Sequence, residues 1–183
     1  MRDPADPAAS DPAVSDPAVS DPADPASGEP ALLLAAYGAA LAEAVADVLG
    51  GWVLRSVEGR WQDFHGSAAA EPSLRAAAEG AGAAAVAEVL PVLCRLLQAD
   101  LDQQWTGPLA LLRGAVRYPT EVLRGAGVPP VVRDDFAQRN FPDDDYDLTP
   151  ASFADIDPAL HEPGLLWGAA KAYAALRRHR ASS

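Results

Sequence analysis

The run Asp-Asp-Asp-Tyr-Asp at 143–147 is a dense cluster of carboxylates, the side chains best able to hold a hard cation or move a proton. Asp143, Asp145 and Asp147 alternate as the first ligands of a calcium loop do. The match then fails, because the sixth position is Leu148 where such a loop needs glycine, and the twelfth is Ala154 where it needs a bidentate glutamate. No metal and no cofactor is expected; were a Mg²⁺ or Ca²⁺ bound, Asp143, Asp145 and Asp147 would be its ligands. Acid–base work by these aspartates with Asp134 and Asp135 would require two carboxyls in unlike environments, which spacing alone does not supply.

Other chemistries find less support. A catalytic triad needs a base, and the histidines are His65, beside a turn signal, His161, and His179 among arginines. Cys94 lies beside an apolar stripe, where a buried and inert thiol is expected. The glycine-rich run 79–85 has neither a preceding strand nor a following lysine, so it is no phosphate loop; its small residues suit a close approach of two helices.

Arg117, Arg133 and Arg139 flank the acidic cluster and are expected to orient it, with Tyr118 beside Arg117 at a helix break. Phe141, Tyr146, Phe153, Ile156 and Leu160 are spaced to anchor the 140–163 stretch onto a helical body. Thr149-Pro150 and Asp157-Pro158 each read as a capping side chain ahead of a first-turn proline. On a helical wheel, Trp167 falls opposite Leu165, Ala169, Ala172 and Leu176 and beside Lys171 and Arg178, which predicts a tryptophan on a basic outer face.

These residues must be positioned by helices. The chain of 183 residues suits one domain, and alanine supplies much of an apolar share of 49%, so close helix packing is expected in place of a thick aromatic core. Helical spacing begins at Glu29-Pro30 and is expected to stop at Gly50-Gly51. The β-branched and aromatic residues of 52–64 allow a small hairpin. A second helix is predicted from 72 to about 105, with Gly80, Gly82 and Pro91 favouring a kink or break. Shorter helices follow after Pro108, near Thr120 and over 131–141, and a final helix runs from Glu162-Pro163 to about Arg180. The expectation is an all-α domain of five to seven helices over 30–180.

Residues 1–29 repeat Asp-Pro-Ala, a composition that offers no burial energy and predicts a disordered acidic tail. The net charge of -12 disfavours nucleic acid and anionic lipid as partners and favours a protein with a basic surface. With Glu43 and Asp47 interrupting the first apolar run, no secretion signal and a single cysteine, a cytoplasmic protein with no membrane partner is expected.

The residues from 112 to 173, including RYPTEVLRGAG, RNFPDDDYDLTP and HEPGLLWGAAKAY, resemble a family of small uncharacterised proteins from high-GC bacteria. That resemblance implies no activity, ligand or catalytic residue. Thirteen arginines against one lysine agree with such a source.

The function expected from these readings is a non-enzymatic interaction or regulatory protein. Its contact surface lies within 117–167 and includes Arg117, Tyr118, Arg133, Arg139, Asp143, Asp144, Asp145, Tyr146, Asp147 and Trp167. The alternative is a metal-dependent or carboxylate-dependent enzyme acting on a small or phosphorylated substrate.

Overall fold

A computed structural model describes residues 28–66, 69–98 and 107–182. The protein is all-α, with no strand among the described residues. The acidic tail expected over 1–29 lies, apart from Gly28 and Glu29, outside them.

Two long helices form the frame: α1, Gly28–His65, and α2, Pro72–Gln98. They run antiparallel, since Arg75 pairs with Glu58, Gly82 meets Gly50, and Leu97 lies against Gly38. The crossing at Gly82 is close enough that an added Cβ would stand 2.8 Å from the carbonyl oxygen of Gly50 and 3.1 Å from its Cα. The small residues of 79–85 thus do what their composition suggested, and let two backbones touch.

That contact also explains two departures from expectation. Gly50-Gly51 does not end the first helix and no hairpin forms at 52–64, because α1 runs unbroken to His65. Trp52, Val53 and Val57 are buried on the inner face of α1, where packing against other elements outweighs their β preference. Likewise α2 passes through Pro91 without a break.

The remaining helices wrap this pair. They are α3, Pro108–Gly114; α4, Arg117–Gly125; α5, Asp135–Asn140; α6, Phe153–Ile156; and, after a 3-10 turn at Pro158–Leu160, α7, His161–Ala181. Gly107-Pro108 opens α3, and Asp134 caps α5 by accepting from the Ala137 amide at 2.7 Å. Asp157 accepts from the Ala159 amide, so Asp157-Pro158 is a helix start as its sequence predicts. Thr149-Pro150 is not: α6 is opened by Ser152 and Asp155 in a reciprocal capping box. The Ser152 amide is the largest cause holding the Asp155 carboxyl below the ordinary carboxylate range.

Helix α7 packs antiparallel to α1, with Arg55 at Ile156 and Asp157 and Trp167 beside Gly38. The main core gathers Leu41, Val45, Leu49, Trp52 and Val53 of α1, Leu93 and Leu97 of α2, and Leu160 and Trp167. A second cluster, at the other end of α1, joins Val57, Leu74, Ala78, Leu123, Val128 and Tyr146. By length and composition α1 and α2 each suffice to cross a membrane, Glu43 and Asp47 notwithstanding. In this fold they pack on one another, and α1 is also covered by α4 and α7.

The crossing predicts a contrast between two glycines two residues apart. Gly82→Ala should lower the free energy of unfolding in urea by about 1–3 kcal/mol, through overpacking against Gly50. Gly80→Ala, with open space around it, should raise it by up to about 1 kcal/mol through helix propensity. Equal effects at both positions would contradict the close crossing.

Candidate functional site

The acidic segment is built around one carboxylate that points inward. Asp144 is 3% exposed, and its side chain accepts from the Leu148 amide at 2.9 Å, the Thr149 amide at 2.8 Å and the Thr149 hydroxyl at 2.7 Å. A carboxylate taken out of water is costly unless its lone pairs are filled, and these donors fill them. The backbone must curl to bring 148 and 149 back to 144, and Asp147 takes a left-handed conformation with φ 55° to close that turn.

Its neighbours are equally committed. Asp145 pairs with Arg124 of α4 at 2.6 Å, and its carbonyl accepts from the Val131 amide. Tyr146 is 1% exposed in the second cluster and donates its hydroxyl to the Val128 carbonyl at 2.7 Å. Burial pushes the Tyr146 phenol above its ordinary range, with Asp145 adding to the shift and Arg124 opposing it. Arginines of α1 and α3 then grip the backbone of the segment, Arg60 donating to the Asp147 carbonyl and Arg113 to Pro150 and Ala151, while Arg133 donates locally to the Ala137 and Phe141 carbonyls.

Several expected roles are corrected by this geometry. Asp144 and Tyr146 do not face a partner, because both are buried in their own chain. Trp167 is only 6% exposed and sits in the main core, with the Lys171 ammonium over its ring at 5.0 Å. The face of α7 expected to pack inward, Leu165 and Leu176 with Ala169 and Ala172, is the exposed one, and the buried residues are Gly164, Trp167, Ala170 and Ala174. Gly164 leaves room for the Phe153 ring, and the indole fills the space beside Gly38.

Arg117 does not orient the acidic segment but binds Glu88 of α2 together with the Tyr118 hydroxyl. Arg139 turns back to the Asp135 carbonyl within α5. Asp143 and Asp147 remain exposed. Asp143, Asp145 and Asp147 do not converge, and no group of three or more His, Cys, Asp or Glu side chains able to hold a metal ion occurs among the described residues.

Two depressions flank the segment. A groove of about 510 Å³ runs past Arg113, Arg117, Thr120, Arg124 and Asp143. Its three arginines are engaged as described, and Glu121, Asp143 and Asp144 balance their charge, so it offers an anion no net attraction. The Thr120 hydroxyl, buried in its wall, has no hydrogen-bond partner.

The second is a largely apolar pocket of about 200 Å³ between the end of α1 and the extended 128–131 stretch, lined by Phe64, Val128, Pro129, Pro130, Val131 and Tyr146 together with the ion pair of Arg60 and Asp63. Of its lining Phe64 and Val131 are exposed, as are Val132 and Phe136 further along the chain. Composition gave no signal for this pocket; the pairing of Pro129-Pro130-Val131-Val132 with a phenylalanine sixty-odd residues earlier is visible only in the fold.

Comparison with protein-family models, with curated proteins and with solved structures finds no match to the chain.

The buried carboxylate predicts that Asp144→Ala lowers stability by about 3 kcal/mol in urea, since several donors lose a charged acceptor, while Thr149→Val costs about 1 kcal/mol. A loss under about 1 kcal/mol for Asp144→Ala would show that the carboxylate does not organise the loop. Tyr146 gives a pH dependence. The folded state favours the neutral phenol, so its contribution is complete below the ordinary tyrosine value of about 10 and is lost as pH rises through the higher folded value. Alkaline difference spectroscopy should show a late-titrating phenol that Tyr146→Phe removes; unchanged spectra in that variant would contradict its burial.

Proposed function

We propose that the protein is a cytoplasmic, non-enzymatic interaction protein whose contact surface is the outer side of residues 128–147 together with the end of α1. The observation that carries this reading is the exposure of Phe64 at the end of α1 and of Val131 and Val132 on a stretch pinned by hydrogen bonds, with Phe136 exposed on α5 beyond it. Exposed apolar side chains on mobile chain ends are common; held in place around a pocket, they resemble the fixed half of a protein interface.

The chemistry of the partner follows from what surrounds the pocket. Between 129 and 147 there are six aspartates against two arginines, and the charged groups lining the pocket itself are one ion pair, Arg60 with Asp63 at 3.2 Å. Two of those aspartates are occupied internally, Asp144 by the loop and Asp145 by Arg124. Asp134, Asp135, Asp143 and Asp147 remain exposed along this stretch of chain, Asp143 on the neighbouring groove. A pocket of about 200 Å³ accepts one large apolar side chain. The fitting partner is a segment with one such side chain flanked by lysine or arginine, the exposed aspartates of 134–147 steering and the apolar anchor holding. The single Cys94 is in keeping with a reducing compartment.

A random peptide library displayed on phage and panned against the full chain tests this. Enriched peptides should share one large apolar residue beside lysine or arginine, and should lose binding at least about tenfold to Phe64→Lys and Val131→Lys, both of which should retain the wild-type melting temperature. Enrichment of unrelated sequences, no enrichment, or binding indifferent to both substitutions would overturn the reading.

A further inference from the structure

The surface of α7 carries a pattern that the docking of α7 on α1 leaves unused. With about 100° per residue, Gly164, Trp167, Ala170 and Ala174 fall on one side and are buried, and Leu165, Ala169, Ala172 and Leu176 fall on the other. Leu165 is 61% exposed and Leu176 47%, and Leu166 and Tyr173 widen the stripe along one edge. The steps of four, three and four residues are those of a helix seam that packs on a second helix. Leu32 and Leu33, in the first turns of the α1 helix alongside, are also exposed.

We infer that this seam pairs with the same seam of a second copy of the chain, antiparallel and about a two-fold axis. The seam is internally symmetric. Reversed about the point between Ala170 and Lys171, Leu165 comes opposite Leu176 of the partner subunit and Ala169 opposite Ala172 of the partner subunit. Large residues meet at both ends and small ones at the middle, so the helices approach closely at the axis and are held by leucines on either side. A two-fold interface requires such self-complementarity, with each residue's partner reciprocated.

Charge selects the same arrangement. Glu162, in the first turn of α7, and Arg180, in its last, lie on the same side of the wheel at one edge of the seam. Antiparallel pairing sets Glu162 near Arg180 of the partner subunit, twice over by symmetry, and opposes the two helix dipoles favourably. Parallel pairing would set Glu162 against Glu162 and Arg180 against Arg180, like charges at both ends. The seam lies beside the first half of α1, whereas the pocket at Phe64 lies at the other end, so a dimer formed here leaves that pocket open.

Sedimentation equilibrium on the full chain, over a range of concentrations, tests the pairing. The wild type should show reversible association from 19.0 kDa to twice that mass. Leu165→Lys with Leu176→Lys should be monomeric with an intact helical spectrum, because both positions are exposed in the single chain. Glu162→Arg should weaken association at least about tenfold, and adding Arg180→Glu should restore it. A wild type of 19.0 kDa at every concentration, a dimer unaffected by the leucine substitutions, or a charge swap that fails to restore association would each overturn the proposal.

Discussion

A carboxylate almost wholly removed from water holds the most polar stretch of this chain in shape. Asp144 carries a charge whose burial is affordable only while the Leu148 and Thr149 amides and the Thr149 hydroxyl point at it. That requirement fixes the turn, including the left-handed Asp147. It also drives Tyr146 inward, where the ring closes the cluster of Val57, Leu74 and Leu123 and its hydroxyl ties down Val128. The Asp145 carbonyl then receives the Val131 amide, so the loop and the 128–131 stretch become one piece. Arg60 and Arg113, on different helices, clamp that piece to the bundle through its carbonyls. The segment is a lid on one end of α1 that keeps Asp143 and Asp147 on its outer side.

Turning its polar groups inward has a consequence outside. Backbone and carboxylates satisfy one another beneath the loop, and the apolar side chains that an alanine-rich body cannot enclose are left at the rim. The same trade occurs at α7. Gly38 and Gly164 create hollows that suit an indole and a phenyl ring, so the helix presents Trp167 to the core and its leucines to solvent. In a protein whose helices approach closely through glycine and alanine, bulky residues have few interior places, and those left over mark the surfaces where association can occur.

Much of the architecture was legible because it rests on local chemistry. Pro108, Asp157-Pro158 and Glu162-Pro163 announce helix starts through caps and fixed φ, and the loop anchors Tyr146, Ile156 and Leu160 are buried as their spacing implies. What was not legible depends on distant partners. Gly50-Gly51 reads as a stop, yet it lies mid-helix because Gly82 needs a bare backbone there. Trp52, Val53 and Val57 suggest a strand, yet they line the inside of a long helix. Thr149 looks like a helix cap, but its hydroxyl is claimed by a carboxylate five residues back. Of the expected contact residues, Asp144, Tyr146 and Trp167 are interior and Arg117 serves α2; the sequence shows a charge or a ring, but not which way it turns.

The acidic segment is a structural unit organised by one buried, hydrogen-bonded carboxylate, Asp144. Native-state hydrogen exchange on the wild-type chain measures this directly at the Leu148 and Thr149 amides, whose only role in the fold is to hold Asp144. The account predicts protection approaching that of the core amides of α1, lost only on large-scale opening. Exchange at the rate of an exposed loop would contradict it.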